Sequence, residues 1–298
     1  MFYNTVLALA FVTLMAACST AAPPTSRRLL LDTSVADAAG TAVIVDVCLN
    51  YSPLGSNDYF VINNAKQGAE ALMPTITQYL DASNVRTPTK LIPFVCGALH
   101  DAANEPKRVA EAIDGDVTQR RQPLWVAPEI SSDIEYLQAL QAVSTYLFQR
   151  GLEKASVTEP PNSVPPESPA PDDVRKAADV IVRKSGRSSL VYVGVMGHSL
   201  SSAKAATLGV VRVAAGVASI AVGPAFTVGG ATYGVMVIPG GPIDKRQMVA
   251  ALFDLQQARL VRSNVIHSGG DPIKTEVMAN RDAIQLLLRD LVFSDVPN

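Results

Sequence analysis

The chain has 298 residues, of which 48% are hydrophobic and 17% charged, so it is long enough to bury a substantial core in one or two domains. Lys and Arg number 25 against 27 Asp and Glu, which leaves no cationic excess to neutralise phosphates and argues against nucleic acid as a partner. The three histidines lie far apart and no Cys-x-x-Cys or phosphate-loop motif is present, so we predict neither a metal site nor a cofactor.

The amino terminus has the features of a secretory signal. An apolar run from Val6 to Ala17 is too short to cross a bilayer as a helix but matches the hydrophobic region of a signal peptide. Two alanines precede Cys18, as at sites where bacterial signal peptidase cuts and the cysteine becomes lipid-bearing. We predict a signal peptide at 1–17 and lipid attachment at Cys18; Ser19 then favours the periplasmic face of the outer membrane. The alternative is an ordinary signal with an incidental cysteine.

Residues 18–40 are rich in Ala, Pro, Ser and Thr and show no periodicity, which predicts a flexible tether. From residue 41 to 298 we expect a single domain. Its first elements are a strand at Ala42–Tyr51, a helix at Ala65–Asp81 with Pro74 as a kink or a break, and a strand at Leu91–Leu99.

Cys48 and Cys96 lie in the two predicted strands of this first unit. If Cys18 carries lipid, they remain as an even pair in an oxidising compartment, and neighbouring strands would allow their sulfurs to meet. Free cysteine is also among the most buried residue types. A disulfide and two buried thiols therefore both remain open.

The remaining elements alternate between helices and strands. Helical patterns occur at Lys107–Ile113, Asp133–Arg150 (closed by Gly151), Asp172–Gly186 and Asp282–Phe293. Strand patterns occur at Leu190–Met196, Gln247–Leu255 and Leu260–His267, the last two as a hairpin. A Pro-rich insertion at 157–173 and an apolar, Gly-rich segment at 205–241 interrupt them. We predict an α/β fold, a two-layer or three-layer sandwich with a mixed sheet.

Ser199 follows an apolar strand in the stretch Gly197-His198-Ser199-Leu200-Ser201, which has the outline of a serine hydrolase nucleophile turn. Asp254 and His267 follow in the chain order that an α/β-hydrolase triad requires, with Asp244 as another candidate acid. The early oxyanion motif of that fold is absent, and the residues after Ser199 are poor helix formers. An esterase is therefore the alternative to a protein without catalytic residues.

Three short motifs stand out: Asn57-Asp58-Tyr59-Phe60, Pro93-Phe94-Val95-Cys96-Gly97-Ala98 and the late stretch AALFDLQQARLVRSNVI. Together they resemble a family of bacterial outer-membrane lipoproteins of unknown function. In that last stretch Ala258 and Arg262 replace the glycine and tryptophan of the family pattern. The late stretch is also similar to lipoproteins like the curli secretion channel subunit and the amino-terminal domain of the Tol system's propeller protein. The resemblance implies a small α/β sandwich that contacts membrane and envelope proteins, including other copies of itself, as a structural or assembly component rather than an enzyme.

The segment 205–241 is the main functional candidate under that resemblance. Arg212 is its only charged residue, and Gly, Ala and Val dominate it. One hypothesis is that it lies on or in the outer membrane as a hairpin or helix; the other is that it forms ordinary core, because Val and Ala are as common in cores as in membranes.

Overall fold

The computed structural model describes residues 26–29, 40–98, 107–121, 123–155, 169–205, 226–228, 231–233 and 245–296. The predicted signal peptide, Cys18, residues 157–168 of the Pro-rich insertion and most of the segment 205–241 lie outside the described residues. The described chain is an α/β fold with one large mixed sheet and helices on both faces, which confirms the predicted fold class.

Fourteen strands are present in the described residues. They are β1 (Ser26–Leu29), β2 (Thr41–Ser52), β3 (Tyr59–Val61), β4 (Thr89–Leu91), β5 (Phe94–Val95), β6 (Lys107–Ala110), β7 (Thr118–Arg120), β8 (Trp125–Val126), β9 (Ser189–Leu200), β10 (Phe226–Val228), β11 (Ala231–Tyr233), β12 (Lys245–Asp254), β13 (Arg259–Gly269) and β14 (Phe293–Val296). The helices are α1 (Ile62–Ala82), α2 (Pro128–Ser131), α3 (Ile134–Ala155), α4 (Asp172–Ser185), α5 (Thr275–Met278) and α6 (Arg281–Val292).

The main sheet has eight strands in the order β13-β12-β9-β2-β3-β6-β7, and β4 pairs with the first half of β2 beside β3. β2 and β9 form its centre as a parallel pair that stays in register from Thr41 and Ser189 to Ser52 and Leu200. Both strands are apolar and almost wholly buried, as is typical of strands covered on both faces. β12 and β13 form the predicted hairpin, with a bulge near Leu252.

Side chains alternate between two cores along these strands. Odd-numbered residues of β2 and β9, such as Val45 and Val193, pack under α1 and α6, whereas even-numbered ones, such as Ile44 and Tyr192, pack under α3 and α4. The molecule is therefore a three-layer sandwich, one of the two arrangements predicted. Helix α4 ends, as predicted, at Gly186, whose φ of 68° is left-handed.

Three element predictions were wrong. Residues 107–113 were expected to be helical, but β6 lies there because it pairs with β3 and β7. The expected strand 91–99 is divided into β4 and β5 around Pro93, which has no N–H for a sheet ladder. Helix α3 continues through Gly151 instead of ending there; a Cβ on Gly151 would lie 2.3 Å from the side chain of Val249, so this glycine serves close packing of helix on sheet.

The predicted tether contains one short strand, and the apolar segment contains a short strand pair. β1 lies inside residues 18–40 and pairs antiparallel with β14 at the end of α6. β10 and β11 pair with each other across residues 229–230 and form a separate two-stranded sheet.

Candidate functional site

The carboxyl ends of β2 and β9 meet at the centre of the sheet. After β2 the chain forms β3 and β4, which lie on the side of β2 away from β9. After β9 the next strand of the main sheet is β12, which lies on the side of β9 away from β2. Ligands of open α/β sheets bind where the strand connections diverge in this way. We therefore take this end of the two strands as the candidate site.

Four polar residues gather there, and we call them the Asp58 cluster: Ser52, Asp58, His198 and Lys204. His198 Nε2 lies 2.8 Å from Ser52 Oγ and 3.8 Å from Asp58 Oδ2, and Lys204 Nζ lies 3.5 Å from Asp58 Oδ1. The Ser52 side chain is fully buried, while those of His198, Asp58 and Lys204 are between 21% and 29% exposed. Hydrogen bonding by His198 and Ser52, with the charge of Lys204, lowers the pKa of Asp58 to about 2 against the opposing effect of burial.

The Asp58 cluster contains a serine, a histidine and an aspartate but does not have the geometry of a catalytic triad. In a triad the acid contacts the ring nitrogen opposite the one that faces the serine, whereas here Asp58 and Ser52 approach the same nitrogen of His198. The Ser52 hydroxyl is also closed off from solvent. The cluster connects the end of β2 and the loop before β3 with the end of β9 and the residues that follow it.

Ser199 lies on the opposite face of the sheet from His198. Its hydroxyl donates a 2.7 Å hydrogen bond to Asp271 Oδ1, and its exposed fraction is 1%. Strand β9 continues to Leu200, so Ser199 lies inside a strand and not on a strand-to-helix turn. Gly197 is also explained by packing, because a Cβ there would lie 2.5 Å from Leu49 and 2.7 Å from Pro272.

The structure does not bring Ser199, Asp254 and His267 together. Asp254 pairs with Ser189, ten residues before Ser199 on β9, which corresponds to about 33 Å along the strand. His267 lies on β13, two strands from β9. Its neighbour Ile266 faces the core under α1 and α6, so the His267 side chain points to the α3 and α4 side of the sheet. Ser199 points to the opposite side, toward α1 and α6. Asp244 lies outside the described residues.

Cys48 and Cys96 form a disulfide, which is one of the two predicted alternatives; the other was a pair of buried thiols. Their Cα atoms are 4.6 Å apart, although β5 is not a ladder neighbour of β2; the backbone N–H of Cys96 donates to Val47 O at 3.3 Å instead. Both cysteines are buried, and Cys96 has a left-handed φ of 58°. The bond joins the central strand to the loop after β5.

Asp46 holds the same loop and was missed as a site residue. Its carboxylate accepts hydrogen bonds from the backbone N–H groups of Gly97 at 3.3 Å and Ala98 at 2.7 Å. Burial raises the pKa of Asp46 to about 7, and those backbone donors oppose the increase. Its signal in the sequence was a single carboxylate in an otherwise apolar strand, two residues before a cysteine. Such a residue must find its donors elsewhere in the fold.

Within the described ranges, no three His, Cys, Asp or Glu side chains converge as a metal site. Among the helices of those ranges, none combines the length and hydropathy that a membrane span requires. No family model matches this chain, and neither a curated protein nor a solved structure matches it.

Proposed function

We propose that this protein is a lipid-anchored component of the bacterial cell envelope, held at the periplasmic face of the outer membrane through Cys18, and that it acts through contacts with other proteins. The Cys48–Cys96 disulfide is the observation that carries this proposal. Disulfides persist in oxidising compartments such as the periplasm and are rare in the cytosol. The bond uses two of the three cysteines and leaves Cys18, the one that follows the signal-like run.

The described polar sites support contact rather than catalysis in this proposal. Ser199 and Asp46 use their polar atoms inside the fold, toward Asp271 and toward the loop after β5. Ser52 and His198 bond each other and also interact with Asp58. A general base or nucleophile needs a reacting atom within hydrogen-bond reach of a substrate, which a fully buried hydroxyl does not offer.

An anchor at Cys18 would keep the domain close to the membrane. Seven residues lie between Cys18 and the start of β1 at Ser26, and the eight Cα–Cα steps span at most about 28 Å when fully extended. Because β1 pairs with β14, the domain would stay within about one domain diameter of the lipid surface. Partners of such a protein would be membrane-bound or periplasmic.

Metabolic labelling with a fatty-acid precursor tests the anchor. We expect the wild-type protein to incorporate label and to fractionate with the outer membrane, and Cys18→Ala to lose both properties. The matched control is the double variant Cys48→Ala/Cys96→Ala, which removes the other two cysteines and should keep the label. An unlabelled wild-type protein, or label retained in Cys18→Ala, would refute the proposal.

A further inference from the structure

The two edges of the main sheet differ in how they are protected against strand pairing. At one edge β7 is only three residues long and exposed, and its Arg120 forms an ion pair with Glu111 at 2.9 Å. At the other edge β13 is eleven residues long, and no strand of the described ranges pairs with its outer side. Short and charged edges resist pairing with another chain, whereas long ones without such features invite it.

The last part of β13 lacks the usual protective residues. Residues 263–269 read SNVIHSG and contain no Lys, Arg, Asp, Glu or Pro. The bulge of the hairpin lies near Leu252, at the other end of the strand. Side chains along this stretch are mostly half-buried between the two helical layers. The groups that this edge presents for pairing are therefore mainly backbone N–H and C=O groups.

One contact shows which backbone groups point outward. The N–H of Val265 donates to the side chain of its neighbour Asn264, with 2.8 Å between N and Oδ1, and so lies outside the ladder with β12. Because the N–H and C=O groups of a strand alternate sides with a period of two, Ser263, His267 and Gly269 also direct theirs outward. Asn264 is held in place by the carbonyls of Leu286 and Leu287 on α6.

We propose that the outer edge of β13 pairs with β13 of a second copy of this chain, antiparallel and about a two-fold axis at Ile266. In this register Val265 faces His267 and Ser263 faces Gly269, so the outward groups of both copies meet as hydrogen-bonded pairs once the Val265 N–H exchanges Asn264 Oδ1 for the His267 carbonyl of the other copy. Arg262 falls opposite Gly270, and no like charges face each other. The edge is thus complementary to itself.

The helical layers are placed so that they fit this pairing. Helices α3 and α6 each pack across both β12 and β13. An axis over the middle of that strand pair would lie about 2.4 Å inside the edge strand. With strands about 4.8 Å apart, the equivalent helices of two copies would lie about 10 Å apart across the axis, the usual distance for packed helices. Helix packing on both faces would then add to the strand contact.

This inference goes beyond the proposed function, since the pairing surface does not depend on lipid. It can therefore be tested in the full chain carrying Cys18→Ala, so that failure of the anchor and failure of the pairing are separate results. At the axis, Ile266 of each copy forms a non-hydrogen-bonded pair with Cα atoms about 4.5 Å apart, which is within disulfide range.

The first experiment introduces a cysteine on the proposed axis. Under mild oxidation, Ile266→Cys should give a disulfide-linked dimer, whereas Gln119→Cys, on the short edge β7, should give at least tenfold less. Equal cross-linking of the two variants, or none in either, would overturn the proposal.

The second experiment measures mass in solution by sedimentation equilibrium. We expect a dimer, and we expect His267→Pro to raise its dissociation constant at least tenfold, because proline at an outward-facing edge position removes a donor used only between copies. Thr118→Pro on β7 is the matched control and should leave the dimer intact. A chain that is monomeric at its highest soluble concentration would refute the pairing; if circular dichroism shows that His267→Pro does not fold, the cysteine experiment decides.

Discussion

Asp46 and Asp58 are two carboxyl groups in or near β2 whose pKa values are shifted in opposite directions. Asp46 lies in the middle of β2, where burial raises its pKa to about 7; Asp58 lies just beyond the end of that strand, where His198 and Ser52 lower its pKa to about 2. Asp46 receives backbone N–H groups alone, whereas a lysine and a histidine also lie near Asp58. At Asp46 the effect of burial exceeds that of the backbone donors, whereas at Asp58 the histidine, serine and lysine outweigh a partial burial.

Removing the disulfide beside Asp46 should have the largest effect on stability. The bond closes a loop across a sequence separation of 48 residues, so Cys48→Ala/Cys96→Ala should lower the free energy of unfolding by about 4 kcal/mol. Chemical denaturation of the oxidised wild type and the double variant measures this. The reduced wild type is the control and should resemble the variant; a loss below about 1 kcal/mol would show that the loop is held by Asp46 rather than by the bond.

Asp46→Asn should cost about 2 kcal/mol near pH 4, because the amide keeps one acceptor for the two backbone donors. In wild type, folded Asp46 keeps its proton up to about pH 7, whereas in the unfolded chain it loses the proton near its ordinary pKa of 3.8. The unfolded state therefore binds fewer protons in that window, and this group's contribution to stability falls as the pH rises from about 4 to about 7.

Denaturation curves across that pH range should consequently cross for wild type and Asp46→Asn, with the wild type more stable near pH 4 and the variant more stable near pH 7, because the wild type loses about 1.4 kcal/mol for each pH unit between the two pKa values. The conservative control is Asp58→Asn, which does not remove this titration and should follow the wild-type slope from pH 4 to 7. Parallel curves for wild type and Asp46→Asn would mean that Asp46 is ionised in the folded protein throughout.

Asp271 adds a third carboxyl to the comparison, with Ser199 as its donor. Ser199→Ala should lower stability by about 1.5 kcal/mol, because a hydrogen bond to a charged group is lost while the carboxylate keeps the N–H of Ile273. Thermal unfolding measures the loss. Hydrolysis of a short-chain nitrophenyl ester should not differ between wild type and Ser199→Ala; activity abolished only in the variant would instead support the esterase alternative.

The smallest effect is expected for Asp58, since the Asp58 cluster is partly exposed. Asp58→Asn should cost about 0.5 kcal/mol at pH 7. With a lowered pKa, this group contributes stability above its ordinary pKa and loses it as the pH falls toward 2, so the variant and wild type should become equal in acid. Urea denaturation at pH 7 and at pH 2.5 checks the sign, and a larger difference at the lower pH would contradict it.

Most secondary structure followed from local patterns. The buried strands β2 and β9, the hairpin of β12 and β13, and helices α4 and α6 lie within a few residues of their predicted positions, because an apolar run or a helical period records burial directly in the chain. The failure at β6 has the opposite cause. Its four residues are a strand only because β3 and β7 lie beside them.

The polar contacts were harder to predict from the sequence than the helices and strands. In the sequence Asp58 is notable only as part of the motif at 57–60. Its partner His198 lies 140 residues later, and no local pattern links the two. Asp46 is the single carboxylate of an otherwise apolar strand, but its donors at Gly97 and Ala98 belong to a loop after β5, a strand that pairs with β8 and not with β2. The disulfide was one of two alternatives until the fold placed the sulfurs together.

By itself the sequence determined that this chain is an α/β protein with strands buried on both faces, because apolar periodicity is a local property of the chain. Only the tertiary structure decided what the polar residues do. His198 and Ser199 are neighbours in the chain, but they point to opposite sides of the sheet, one toward Asp58 and the other toward Asp271. The register of β9 between its neighbours sets that choice, and a shift of one residue would reverse it.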